Sequence, residues 1–192
     1  GQDIHLDRII DKARQKQPGM LAVDRTVPGR NENYATPEMR IPSTQLNYPW
    51  ESNLQLANGW GWRKNSIYKS PQTIINNLIE ITAKGGALLL GVGPTPQGTI
   101  EEKAAICLRQ VGEWLKSYGK AIYATRITPH YNDGNVWFTT SKDHKTLYAL
   151  YALPEGETLP STITWKGNEP KGAIRLIKGN RKVKHTCKNG II

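Results

Sequence analysis

The sequence predicts an α/β region with parallel strands over residues 1–120, followed by an antiparallel β domain over residues 121–192. Two observations carry this. Up to about residue 120, segments with helical periodicity alternate with short continuous apolar runs, the pattern of buried strands joined by helical crossovers. Beyond it the apolar period falls to two, and short runs are separated by the turn sequences "NDG", "PEGE" and "KGN". The 192 residues are 38% hydrophobic with six Trp, a globular composition.

Taken in order, "DIHLDRIIDKARQK" (3–16) reads as a helix with Ile9, Ile10 and Ala13 on one side and Asp3 as its N-cap. "GMLAVD" (19–24) reads as a buried strand. Residues 25–69 form a long stretch rich in Pro, Asn, Gly and aromatics. "SPQTIINNLIEITAKGG" is a punctuated helix: Ser70 as N-cap, Pro71 in the first turn, Gly85 at the end, and an inner stripe of Ile74, Ile75, Leu78, Ile81 and Thr82. "ALLLGV" is the next buried strand. The following helix, "TIEEKAAICLRQVGEWLKSYG", has Thr99 and Glu102 at capping-box spacing, a stripe from Ala104 through Cys107, Leu108, Val111, Trp114 and Leu115 to Tyr118, and Gly119 as its stop. Two strands do not complete a parallel sheet, so either the 25–69 stretch hides others or the chain is part of a barrel. Five further strands are expected in "NVWFTTS", "TLYALYAL", "STITWKG", "GAIRLI" and "KVKHT", with a sandwich as the expected arrangement.

Several function classes fall away on composition. "GVGPTPQG" has the strand–glycine–helix layout of a phosphate cradle, but no lysine follows Gly98, and Pro94 and Pro96 lack the amide hydrogens such a cradle needs. Cys107 and Cys187 have no metal-binding spacing, and Cys107 sits on a helical apolar stripe as a buried thiol. The net charge of +10 is densest in the tail, with 11 Lys/Arg against 5 Asp/Glu over 121–192, compared with 15 against 11 over 1–120. No nucleic-acid motif accompanies it, so the lysines read as a solvated strand face and nucleic acid is not an expected partner. No run reaches the roughly 18 apolar residues of a membrane span, and no leader peptide is visible at the N-terminus.

The chemistry-bearing stretch is 25–62. It carries Asp24 at its threshold, then Arg25, Glu32, Glu38 and Glu51, with Trp50, Trp60 and Trp62. Indole faces stack on the apolar face of a pyranose, while carboxylates and arginine bond its hydroxyls. A retaining glycosidase needs two carboxyl groups about 5–5.5 Å apart. On composition alone, each glutamate reads as a surface or structural residue before a catalytic one.

Together, "VDRT…TPE", "PWE…GWGW", "SPQTIINNLIEITAKGGALLLGVGPTPQGTI" and "VGEWLKSYGKAIYATR" resemble the α-L-fucosidases of glycoside hydrolase family 29 over residues 4–126. The resemblance implies the second half of a (β/α) TIM-like barrel over 1–120, followed by an incomplete antiparallel β-sandwich over 121–192. It implies hydrolysis of terminal α-L-fucosyl bonds with retention, without cofactor or metal. The family's nucleophile is an aspartate in a Trp-x-Asp-Gly-like segment preceding the first helix, and this sequence contains none. The chain therefore reads as an internal fragment, inactive alone, whose partners are a fucosylated glycan and the N-terminal part of the barrel. A non-catalytic fucose-binding relative is the alternative. By position, Arg25 matches the fucose-binding arginine, Trp60 the aromatic packed on the sugar face, and Glu51 a supporting glutamate. Asp24 reads as structural. Both Glu38, in "TPE", and Glu32, in "NEN", stand as general acid/base, a role expected to require a pKa raised by burial or by the nearby nucleophile. Fucosylated glycans make a periplasmic or secreted location the default expectation.

Overall fold

The computed structural model describes residues 4–23, 25 and 29–192. Three helices, α1 (Leu6–Lys16), α2 (Pro71–Ala83) and α3 (Glu102–Tyr118), accompany two parallel strands, β1 (Glu51–Gln55) and β2 (Ala87–Gly91). Strand β1 lies inside the 25–69 stretch, so that stretch did hide a strand. Its register with β2 runs from Glu51 opposite Ala87 to Gln55 opposite Gly91.

The parallel arrangement extends beyond these two strands. Ala35 bridges Trp50 and Glu38 bridges Asn53, both parallel, and Val23 bridges Tyr34 the same way. The amide of Glu51 donates to Ala35 O at 2.9 Å and that of Met39 to Asn53 O at 2.9 Å. Thus an extended segment from Tyr34 to Glu38 lies between Val23 and β1. Among its described residues, the "GMLAVD" run forms the Val23 bridge but no named strand.

Helix α2 forms as its punctuation predicts. Ser70 accepts a bond from the Thr73 amide at 3.0 Å, and Gly85 reverses the chain with φ of 85°. Its burial exceeds the expected stripe: Ile79, at 2% exposure, joins Ile74 and Ile75 inside. The reason is tertiary, because α2 packs on α3 and β2 and also on the following β layer. One core cluster joins Ile74 and Ile79 to Val111 of α3 and to Tyr148 and Leu150 downstream. A second joins Trp50, Leu54 and Ile81.

Two expected caps differ. Asp3 and Asp24 lie outside the described residues; α1 is preceded by His5 in a left-handed conformation with φ of 52°. On α1, Ile10 is buried whereas Ile9 is 56% exposed. Helix α3 starts at Glu102 with Glu101 as N-cap, and no Thr99–Glu102 box forms. The Thr99 hydroxyl is instead 2.9 Å from that of Thr95, closing a separate turn in which Gly98 has φ of 79°. The α3 stripe is as expected, with Ala104, Cys107 and Val111 buried.

After a 3₁₀ turn at Gly119–Ala121, four antiparallel strands follow: β3 (Thr125–Arg126), β4 (Asn132–Asp133), β5 (Val136–Ser141) and β6 (Leu147–Tyr151). Phe138 of β5 is fully buried. The expected strands "STITWKG", "GAIRLI" and "KVKHT" are not formed as strands; that region is held by single bridges such as Lys166–Ile191 and Arg175–Lys182. Arg175 and Lys182 are like charges placed opposite one another, which disfavours extension of that pairing.

Candidate active site

Side-chain alternation decides what the β1 layer presents. Trp50 and Leu54 turn toward Ile81 of α2, so Glu51, Asn53 and Gln55 face the other side. The bridges place Glu38 beside Asn53, and Asn53 beside Leu89 of β2, in one lateral row. Next along β1, Gln55 faces Gly91, where a Cβ would lie 2.2 Å from the Gln55 side-chain oxygen. That face therefore carries an acid, a primary amide and, at its buried end, a second amide.

Arg25 follows Val23, and Glu38 ends the neighbouring extended segment. Arg25 Nη1 donates to Glu38 Oε2 at 2.5 Å. Their side chains are 40% and 50% exposed, so the pair adds about 0–1 kcal/mol to stability and acts chiefly by orienting the carboxylate. It sits at the carboxyl ends of parallel segments, the end at which α/β sheets place ligand sites. Glu38 also lines an open groove whose wall mixes hydroxyl groups and one cation, from Thr36, Thr44, Tyr48 and Arg40, with the apolar Ile41 and Leu46. The expected burial of the acid is not provided by these residues, since half of the Glu38 side chain meets solvent.

The other glutamates lie elsewhere on this frame. Glu32 precedes the segment that Glu38 ends; its amide closes a turn onto Gly29 O at 3.0 Å, and its side chain is exposed. Next to it, Asn31 is buried and ties this turn to α1, its side-chain oxygen accepting from Arg14 Nη1 at 2.8 Å. From Tyr34 to Glu38 the extended chain covers about 13 Å at about 3.3 Å per residue, so the two candidate acids occupy opposite ends. Glu51 is at the start of β1, opposite Ala87 and one lateral row before Asn53. Of the sequence-derived residues, then, Arg25 and Glu38 are brought into contact, Glu32 lies at the other end of the extended segment, and Glu51 lies one row away from Asn53 on the same face.

Trp60 is 50% exposed at the tip of an excursion that leaves the end of β1. The excursion is closed at its base by the Ala57–Tyr68 bridge and by the Lys69 amide donating to Leu56 O at 2.9 Å. Gly61, with φ of 71°, turns the tip. The "GVGP" loop packs directly behind it: a Cβ on Gly93 would lie 2.2 Å from Trp62 N and 2.3 Å from Gly61 C. Trp62 Nε1 and the Tyr68 hydroxyl donate to the same Glu101 oxygen, at 2.8 and 2.9 Å. Those two bonds, Trp62 foremost, hold the Glu101 carboxyl below its ordinary pKa, and burial, then Glu101, pushes the Tyr68 phenol up. Among the described residues no three His, Cys, Asp or Glu side chains gather as a metal site requires.

Sequence reasoning missed Asn53, Gln55 and Glu101. The first two carried a signal, the polar alternation Glu51, Asn53, Gln55 around Ser52 and Leu54. Glu101 carried none, because its partners are 39 and 33 residues away.

Comparison with known proteins places this arrangement in a family. The family model described as Alpha-L-fucosidase matches residues 1–120. The plasma alpha-L-fucosidase of Homo sapiens is 34% identical over 125 residues, covering 62% of this chain and 27% of that protein. The chain thus spans about a quarter of the length of the curated relatives it matches. Alpha-L-fucosidase isoenzyme 1 from Paenibacillus thiaminolyticus superposes with a TM-score of 0.81 at 23% identity, over 95% of this chain and 46% of that one. The Thermotoga maritima alpha-fucosidase solved with fucose gives 0.80 at 22% identity, over 97% and 43%. At these identities the structural likeness speaks for the fold, and the family model for descent: the chain belongs to the alpha-L-fucosidase family.

Proposed function

We propose that the whole protein is a retaining exo-glycosidase that removes terminal α-L-fucosyl groups, and that Glu38 is its general acid/base. The observation that carries this reading is the Arg25–Glu38 pair at the carboxyl end of the parallel segments. Glu32, at the other end of the same segment, is disfavoured on that ground. The names of the relatives and the fucose complex of the Thermotoga maritima protein support the choice of sugar.

In this reading residues 1–120 form the second half of a (β/α) barrel, Val23, 34–38, β1 and β2 being adjacent parallel members of its wall. The antiparallel strands after residue 121 belong to a β-sandwich. An aspartate from polypeptide outside residues 1–192 attacks the anomeric carbon as the glycosidic C–O bond breaks, and protonated Glu38 gives its proton to the departing oxygen. In the second step the Glu38 carboxylate takes a proton from water, whose oxygen attacks the anomeric carbon and releases the aspartate. Two inversions give net retention. Arg25 orients Glu38 and bonds a fucose hydroxyl, and the exposed Trp60 indole receives the apolar sugar face. A periplasmic or secreted location suits a fucosylated glycan substrate.

The test is full-length protein with Glu38→Ala and Glu32→Ala. Glu38→Ala should lose hydrolysis of fucosides with poor leaving groups by about 10²–10⁴-fold. It should regain turnover of an activated aryl fucoside on adding azide, yielding the retained fucosyl azide. Rescue of Glu32→Ala instead would transfer the role to Glu32, and wild-type turnover in both would remove the assignment.

A further inference from the structure

We propose that Glu101 is a positioning residue of the sugar site, holding the Trp60 platform in place through a two-point clamp on its loop. The inference rests on the fucosidase reading above. Glu101 occupies the N-cap of α3, where a side chain ordinarily accepts from the helix's own first-turn amides. It makes no such bond. Its carboxylate turns instead to the excursion between β1 and α2. One oxygen, Oε2, accepts from Trp62 Nε1 at 2.8 Å and from the Tyr68 hydroxyl at 2.9 Å. These donors sit on the two limbs of the excursion, one just past Trp60 and one at its base, so a single charged oxygen spans it.

Three features make this a clamp and not a chance contact. Both donors have apolar bodies that need a partner for one polar atom when packed, and Tyr68 packs against the main core. The acceptor is ionised and lies at the positive end of α3, which favours its charge. The backbone behind Trp62 is already pressed on Gly93, so the clamp and the "GVGP" loop hold the excursion from two sides. Trp60 itself has half its surface in solvent and so depends on its backbone for its direction. An aromatic platform that tilts loses its stacking on the sugar face, which weakens ground-state binding first and chemistry less.

The experiment uses the full-length protein with Glu101→Ala, Glu101→Gln and Trp62→Phe, read as separate kcat and KM values on an aryl α-L-fucoside. Glu101→Ala should raise KM about tenfold with kcat within about threefold of wild type. Glu101→Gln should remain near wild type, because its carbonyl oxygen has two lone pairs and can accept both bonds. Trp62→Phe keeps the ring, removes one donor, and should raise KM by an intermediate factor; combined with Glu101→Ala it should add nothing further. An unchanged KM in Glu101→Ala overturns the proposal. So does an equal loss in Ala and Gln variants that tracks a fallen melting temperature, which would mark Glu101 as a stability residue only. Wild-type turnover tests the fucosidase reading separately. A protein that binds fucose without hydrolysing it is scored by fucose Kd in the same variants, with the same expectations. Absence of both activities removes the proposal together with the reading it rests on.

Discussion

Replacing Gly93 by alanine should disturb the sugar site although Gly93 is no part of it chemically. The added Cβ would fall 2.2 Å from Trp62 N, 2.3 Å from Gly61 C and 2.7 Å from Gly61 Cα. All three neighbours are backbone, so no side chain can swing aside. The two loops must part by about 1 Å to reach an ordinary contact near 3.5 Å. Overpacking of this kind costs about 1–3 kcal/mol, and a 1 Å misplacement of a positioning group can cost about 10²-fold in rate. In the full-length protein, Gly93→Ala should therefore lower the unfolding free energy by about 1–3 kcal/mol and kcat/KM on an aryl fucoside by about 10–100-fold. Gly112→Ala is the matched control. It lies inside α3 with no atom beyond its chain neighbours and the helix's own backbone within 4 Å of the built Cβ, and should stabilise by about 0.5–1 kcal/mol through helix propensity with activity unchanged. Urea unfolding and steady-state kinetics on both variants read the contrast. A Gly93→Ala protein with wild-type stability and wild-type kcat/KM would refute the close packing of the two loops.

Other outcomes follow from the same geometry. Lys84, only 4% exposed, donates to Pro42 O at 2.7 Å and Glu80 at 2.5 Å beneath the Trp137 ring. Lys84→Met should destabilise by about 2–3 kcal/mol in urea unfolding, less than for a fully buried pair because water reaches Glu80. Ser70→Ala removes the cap bond to the Thr73 amide and should cost about 1 kcal/mol, read as a lowered denaturation midpoint. The Glu101 carboxyl is held low by Trp62 and Tyr68, so its folded-state pKa lies below its unfolded one. Its stabilisation is complete above the ordinary glutamate range and disappears as pH falls through the lowered value. Glu101→Gln should accordingly flatten the acid side of the melting-temperature profile below about pH 4.5, and a profile parallel to wild type would contradict this.

Helices α2 and α3 were legible from sequence because their determinants are local. Ser70, Pro71 and Gly85 punctuate α2, and the spacing of Ala104, Cys107 and Val111 defines one face of α3. The family resemblance was likewise carried by contiguous motifs. Ile79 was missed because its burial depends on the distant segments that pack on α2, namely α3 and the β layer after residue 121. Strand β1 was missed because a short strand with one polar face looks like loop until a partner defines the ladder. The three tail strands were expected from alternation alone, which does not guarantee a partner at the right register.

The sequence by itself therefore determined the three helices, both ends of α2 and the family, all of which depend on residues within a few positions of one another, whereas the starts of α1 and α3 differ from the expected caps. Tertiary structure decided which side chains meet. It put Arg25 on Glu38 and left Glu32 at the other end of the same extended segment. It also joined Glu101 to Trp62 and Tyr68, and explained Gly93 as the point where the "GVGP" loop backs the Trp60 excursion. Such pairings span 13 to 39 residues and arise from sheet register and loop packing, which local propensity does not encode.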